Sequence, residues 1–352
     1  MTDLAAVAAA LVAPGRGLLA ADEGVPTVSA RLVRARVAPT EQNRRAYREM
    51  LVTAPALADG ISGVILGDET LHQQVTGGRP FPEALAALGM LTGVRADAGA
   101  RPLPGAPGEN VTEGLDGLPP RLRGYAGLGA AFAKWRAVFT IGPGTPSPAG
   151  LRANSQALGR FAVACQEAGL VPVVAAEVAM TGAHSVGQCE TVTSLVLLEV
   201  VTALLDSGVD AGAVVLQPSM ALPGLDSGQR VTPGQAAEAT LATLGSMPAA
   251  LAGVAFPSGG QSPEQATGNL AALQREPHLW PLTFAFGRAL TGPALAAWRG
   301  DPAAVQAGQR ALLRRVTMNI AALAGRYTPE LELSTPERAA SATPGGPPGS
   351  AR

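Results

Sequence analysis

Lys134 is the only lysine among the 26 Lys and Arg residues of this chain. Arginine supplies positive charge but does not lose a proton near neutral pH and cannot form an imine, whereas an amine can do both. The lone lysine is therefore either the last survivor of an Arg-biased composition, beside 43 Gly and 30 Pro, or a group retained for amine chemistry. Arg136 follows two residues later, a spacing that puts both side chains on one face of a strand. Asp22, Asp97, Glu177, Gln217, Ser258 and Arg288 each close a short apolar run. Carboxylates gathered beside an amine are the material of acid–base and carbonyl chemistry. Each is also an ordinary strand end when taken alone, so the argument rests on the series.

The runs that would carry these residues are rich in Val, Ile and Leu. They cover 17–22, 61–67, 91–97, 135–142, 170–177, 211–219, 251–260 and 282–290, with helix-like Ala, Leu and Arg stretches between most of them. Strands alternating with helices predict a parallel sheet, and eight such units predict an α/β fold of one type, a single (β/α)8 TIM barrel. In such a barrel the strand C-termini form the active face, so the polar run ends should converge there. The barrel domain is expected over 1–333. The tail 334–352 is Pro, Gly, Ser and Ala with little apolar bulk and is expected to be disordered. The stretch after the third run, rich in Pro and Gly, reads as a surface excursion followed by a helix.

Formal net charge is −1, which suggests neither nucleic acid nor an anionic membrane as partner. No apolar run approaching ~20 residues is apparent, so no membrane span is expected. The acidic, weakly basic start reads as a first helix rather than a leader. Cys165 and Cys189, like His72, His184 and His278, show no metal-ligand spacing. A reduced, cytoplasmic protein is the default, with no metal and no cofactor implied. Cys165 reads as core, Trp135 as packing on the far side of its strand, and Glu69 as either a site residue or a helix cap.

Long strings of the chain resemble the class I fructose-bisphosphate aldolases of animals and plants. GRGLLAADEG, NRRAYREMLVTAP, GVILGDETLHQ, GRPFPEAL, GENVTEGLDGL, FAKWRAVFTIG, SGGQSPEQA, TFAFGRAL and AGRYTP carry the likeness, which runs from about Gly15 to Pro329. The resemblance implies that Asp22 positions and deprotonates substrate and that Lys134 and Arg136 are the fourth-strand basic pair. It also implies that Ser258, Gly259 and Gly260 form a phosphate loop, with Arg288 clamping the phosphate. A Gly-rich turn and a guanidinium suit an anion on physical grounds as well. Thr27 and Arg31 fall where the family contacts a second phosphate, and Glu177 matches a family glutamate. A small phosphorylated metabolite is the expected partner, and a homotetramer is the expected assembly.

The same alignment exposes departures. The imine-forming lysine of the family falls on Gln217, and its general-acid glutamate falls on Ala175. Its third-strand lysine falls on Arg95, next to Asp97, and Gly24 and Ala285 replace serines. Glutamine has no nucleophilic amine and cannot form the imine. Three functions stay open at this point. One is altered chemistry on a phosphorylated ketose or related carbonyl compound through Lys134 and Asp22. Another is a pseudoenzyme that binds a sugar phosphate or acts in assembly. The third is aldol cleavage with the Schiff base moved to Lys134.

Overall fold

The computed structural model describes residues 3–333, so the tail expected at 334–352 lies outside the described residues. Eight parallel strands close into a barrel: β1 (Gly17–Ala21), β2 (Ile61–Leu66), β3 (Leu91–Arg95), β4 (Phe132–Phe139), β5 (Val171–Val178), β6 (Val215–Leu216), β7 (Gly253–Phe256) and β8 (Leu282–Phe286). Each pairs with its sequence neighbours, and β8 returns to β1 through Leu18↔Ala285 and Leu19↔Phe286. All eight expected runs contain a strand. The bounds differ where the chain breaks the ladder: β6 keeps only two residues because Ala211–Ala213 forms a 3-10 turn and Pro218 has no N–H to donate. β4 starts earlier than the apolar run suggested, so Lys134 lies within it.

Alternate strand residues fill the interior. Leu18, Ala20, Ile65, Phe132, Val171, Val173, Val215, Ala255 and Ala285 form one buried cluster, closed from below by Ala8 and Leu11 of the N-terminal helix Leu4–Leu11. The outward set packs under the helices, as where Trp135 meets Phe161 with ring centroids 5.6 Å apart. Helix starts are written locally. Ser147 caps Pro148–Glu167, and Ser185, Thr232 and Ser262 each complete a reciprocal bond with a Gln three residues on.

Three expectations need adjustment. The excursion after β3 contains a hairpin, Gly99–Pro102 paired with Asn110–Glu113, before its helix Leu118–Gly127. The helix Val186–Asp206 is 21 residues long with mean hydropathy 1.5 over its most apolar window, enough to cross a membrane by length and composition alone. The expectation that no such run exists was too strict. The apolar character has a packing reason, since Val196, Leu197 and Val200 of that helix are fully buried in the main core. Of the two readings of Glu69, the helix cap fails, since it pairs with Arg44, while it does line the cleft that holds Asp22, Arg95 and Asp97.

Candidate active site

β4 sets the depth of the site. Its inward residues rise from Phe132 in the core, through Lys134 at 4% exposure, to Arg136 at the mouth with a side chain 47% exposed. Asp22 follows β1 directly. Lys134 Nζ donates to Asp22 Oδ2 at 3.0 Å, and both groups are buried. Burial pushes the Asp22 carboxyl up, but the charge and hydrogen bond of Lys134, helped by Arg95, outweigh it and hold the group below its ordinary range.

A second pair lies beside the first. Arg136 Nε donates to Glu177 Oε2 at 2.8 Å, and its Nη2 stands 2.7 Å from the same oxygen. Burial raises the Glu177 carboxyl, while Arg136, Lys134 and the Gln217 amide lower it, and the lowering prevails. Gln217 Nε2 donates to Glu177 Oε1 at 3.0 Å. The reverse amide orientation would set oxygen against carboxylate. Its own Oε1 is buried and has no hydrogen-bond partner among the described residues. Position 217 therefore carries a neutral donor to Glu177 and one buried acceptor left without a partner. Ala175, one inward level below Glu177 on β5, is fully buried and brings no polar atom.

Arg95 ties this network to the β1 and β3 loops. Its Nη1 donates to the Asp22 carbonyl at 3.2 Å, and its Nε lies 3.4 Å from Asp97 Oδ1. Asp97 Oδ2 accepts from the Arg136 backbone N–H at 3.2 Å. Burial raises the Asp97 carboxyl and prevails over the pull of Arg95 and that hydrogen bond. A Cβ at Gly24 would sit 3.3 Å from Arg95 Nη2. Two positions that look independent in the sequence are thus adjacent, and a side chain at position 24 would press on the Arg95 guanidinium by a few tenths of an ångström.

The residues expected to hold a phosphate lie after β7 and β8. Ser258, Gly260, Gln261, Arg288 and Gly292 line a pocket of about 460 Å3. Gly260 has φ +74°, and a Cβ there would meet Met180 Cγ at 2.9 Å, so a side chain is excluded twice. Arg288 is exposed, makes no ion pair among the described residues, and opens the helix Arg288–Trp298. Gly259 lies between Ser258 and Gly260 on the same turn. The groups expected for a second phosphate are placed differently. Thr27 is exposed on the first turn of the helix Val25–Arg34, whereas Arg31 is bonded to Glu23 and to Thr291 Oγ1.

Sequence reasoning passed over two members of this region. Glu23 engages Arg31, and Arg48 is buried with Nε and Nη1 unpartnered while Nη2 donates to the Glu23 carbonyl at 3.0 Å. Arg48 stacks over Tyr47 at 5.4 Å and lines a cleft of about 250 Å3 with Asp22, Arg95 and Asp97. The only signal was its place in NRRAYREM, which reads as an ordinary amphipathic helix. His184, unsingled for catalysis, is buried after β5 and burial lowers its pKa; His72 and His278 stand elsewhere.

A closed (β/α)8 barrel with ionisable side chains gathered at the strand C-termini defines a TIM-barrel protein. The family model for class-I fructose-bisphosphate aldolase matches residues 3–342. A probable fructose-bisphosphate aldolase class 1 of Xanthomonas axonopodis pv. citri (strain 306) is 46% identical over 300 residues, covering 85% of this chain and 90% of that one. Fructose-bisphosphate aldolase B of Gallus gallus is 44% identical over 328 residues, covering 92% and 90% respectively. Among solved structures, the aldolase of Plasmodium falciparum, in complex with TRAP and a small-molecule inhibitor, superimposes with a TM-score of 0.91 at 38% identity, covering 92% of this chain and 95% of that one. The chain belongs to the class-I fructose-bisphosphate aldolase family.

Proposed function

We propose that this family member acts on a phosphorylated ketose or a related carbonyl compound by altered chemistry that uses Lys134 and Asp22, with a proton passing from the substrate to Asp22, without an imine at position 217. The observation that supports this most is the buried Lys134–Asp22 pair, formed by the single lysine of the chain at 3.0 Å. An ammonium can polarise a carbonyl oxygen while the carboxylate takes a proton from the adjacent carbon or hydroxyl. The low Asp22 pKa has Lys134 as its main lowering cause. A substrate oxygen that takes over the Lys134 hydrogen bond would loosen that hold, and burial would then make Asp22 a stronger base. Arg136 and Glu177 would orient the polar end of the substrate, with Arg95 and Asp97 shaping the wall. The pocket of Ser258, Gly259, Gly260 and Arg288 would take a phosphate, and Thr27 and Arg31 would serve a second one once Glu23 yields Arg31.

A second reading, sugar-phosphate binding without turnover, is favoured by the closed state of the network. Arg136 is bonded to Glu177 and Lys134 is almost wholly buried. One set of measurements separates the readings. Lys134→Arg keeps charge and removes proton transfer and imine formation. If Lys134 carries chemistry, this variant binds candidate sugar phosphates and loses turnover by at least ~100-fold. If it is silent in both binding and turnover, the binding protein is the better reading. Borohydride reduction in the presence of substrate, followed by peptide mapping, tests the third option: an adduct at Lys134 means a relocated Schiff base. Two Arabidopsis thaliana and Cicer arietinum relatives are named cytosolic and cytoplasmic aldolases. A cytoplasmic location and a homotetramer belong to the same proposal, the latter measurable by light scattering.

A further inference from the structure

Outside the barrel mouth, a groove of about 480 Å3 runs between the helices Val25–Arg34 and Arg288–Trp298. Its wall carries Arg31, Arg34, Arg36 and Arg299 over a floor of Ala35, Leu295, Ala296 and Gly292. Arg31 is committed to Glu23. Arg34, Arg36 and Arg299 are exposed and make no ion pair or side-chain hydrogen bond among the described residues. Three uncompensated guanidiniums share one groove in a chain whose formal net charge is −1.

The backbone supplies an independent observation. Among the described residues, three non-glycine residues have positive φ: Arg36 at 60°, Ala56 at 59° and Arg299 at 47°. Two of the three border this groove. Arg36 occupies the left-handed position of a Schellman turn, its N–H bonded to the Val33 carbonyl and the next N–H, of Val37, bonded to the Leu32 carbonyl. Arg299 is the left-handed cap of Arg288–Trp298. Glycine suits both positions best, and this chain uses glycine freely, with 43 of them, 18 of which take positive φ in the described residues. Basic residues near helix C-termini gain from the dipole wherever they stand in the last turn. That does not require the strained position itself, where the side chain is carried out beside the opposite helix. Strain retained twice at the rim of one charged groove indicates a ligand.

We propose that this groove is a second anion site, for a small molecule bearing two or more phosphoryl groups. Guanidiniums bind phosphoryl oxygens in pairs, and several of them match a compact ligand of several negative charges. The volume suits a small ligand. No aromatic residue lines the groove, so a nucleobase has nothing to stack on, and nucleic acid is disfavoured. Gly292 also lines the Ser258–Arg288 pocket and Arg31 is the residue proposed above for a second substrate phosphate, so the groove borders both barrel positions, while Arg34, Arg36 and Arg299 line the groove and not the Ser258–Arg288 pocket.

Inorganic tripolyphosphate is the probe, titrated calorimetrically into the full chain carrying Arg288→Ala, which weakens the mouth site. The expected result is one site whose affinity falls steeply with salt. Adding Arg36→Gly and Arg299→Gly should then cut affinity at least tenfold while the melting temperature stays equal or rises, because glycine relieves both left-handed positions. A fall in affinity together with unfolding is resolved by Arg34→Gln, which leaves both caps intact and should lower affinity by itself. Unchanged affinity in the double glycine variant, or no binding at all once Arg288 is removed, would overturn the proposal. Tighter binding of an oligoglutamate peptide than of tripolyphosphate at the glycine-sensitive site would also overturn it, in favour of an acidic protein segment.

Discussion

Lys134→Met removes an ammonium from a buried pair and leaves Asp22 facing the barrel interior. Removing one member of such a pair costs ~3–5 kcal/mol, because the remaining charge loses its partner while staying out of water. Unfolding entropy of about 2.1 cal/mol/K per residue over 352 residues gives ~0.7 kcal/mol/K, so the melting temperature should fall by ~4–7 °C at neutral pH. The pH dependence tests the cause. In the parent, the Asp22 pKa is lowered, so its contribution is present above the unfolded value of about 3.9 and is lost only as pH falls through the lower folded value. In the variant, the largest lowering causes are gone and burial is opposed chiefly by Arg95, so the folded carboxyl moves up. The folded state then takes a proton before the unfolded state does, and stability rises as pH falls. Differential scanning calorimetry should therefore find the deficit large near about pH 7.5 and smaller near about pH 5. A deficit that is constant or grows on acidification would refute the argument that Lys134 holds Asp22 as a buried carboxylate. Glu177 keeps Arg136 and Gln217 but also loses the pull of Lys134, which moves its carboxyl in the same upward direction and so adds to the trend.

Cleavage of fructose 1,6-bisphosphate by the parent should be at least ~100-fold below that of a family member with an imine lysine, measured by coupled assay. Gln217→Lys alone should not recover it, since Ala175 supplies no acid and the new ammonium enters a network already balanced around Glu177. Arg288→Ala should weaken calorimetric binding of a sugar phosphate by ~1.5–3 kcal/mol, and unchanged affinity would remove Arg288 from the site. Gly24→Ala should cost up to about 1 kcal/mol through the Cβ contact with Arg95, and Arg95→Lys in the same chain should return most of it; additive losses would show that the two positions are not coupled.

The barrel was legible from the sequence because its signal is periodic. Eight apolar runs recur with helices between them, and their polar ends mark which end of the sheet faces the loops. The aldolase likeness was legible because it resides in long contiguous strings, and Gln217 drew notice because VVLQPS occupies a defined place in that order. Contacts between distant segments were not. That Lys134 meets Asp22 across 112 residues, and Gln217 meets Glu177 across 40, depends on barrel closure and strand register. The length of β6, the burial of the apolar helix Val186–Asp206 and the fit of Arg95 over Gly24 are likewise decided by neighbours from other parts of the chain. Nor did anything local distinguish Arg36 and Arg299 from other surface arginines. Their left-handed backbone is a local helix-end turn, but their shared groove exists only once two helices separated by more than 250 residues lie side by side. The sequence determined which chemical groups were available and which were missing. The tertiary structure decided which of them are paired, buried or free, because charge interactions act through distance and dielectric, and neither is a property of position along the chain.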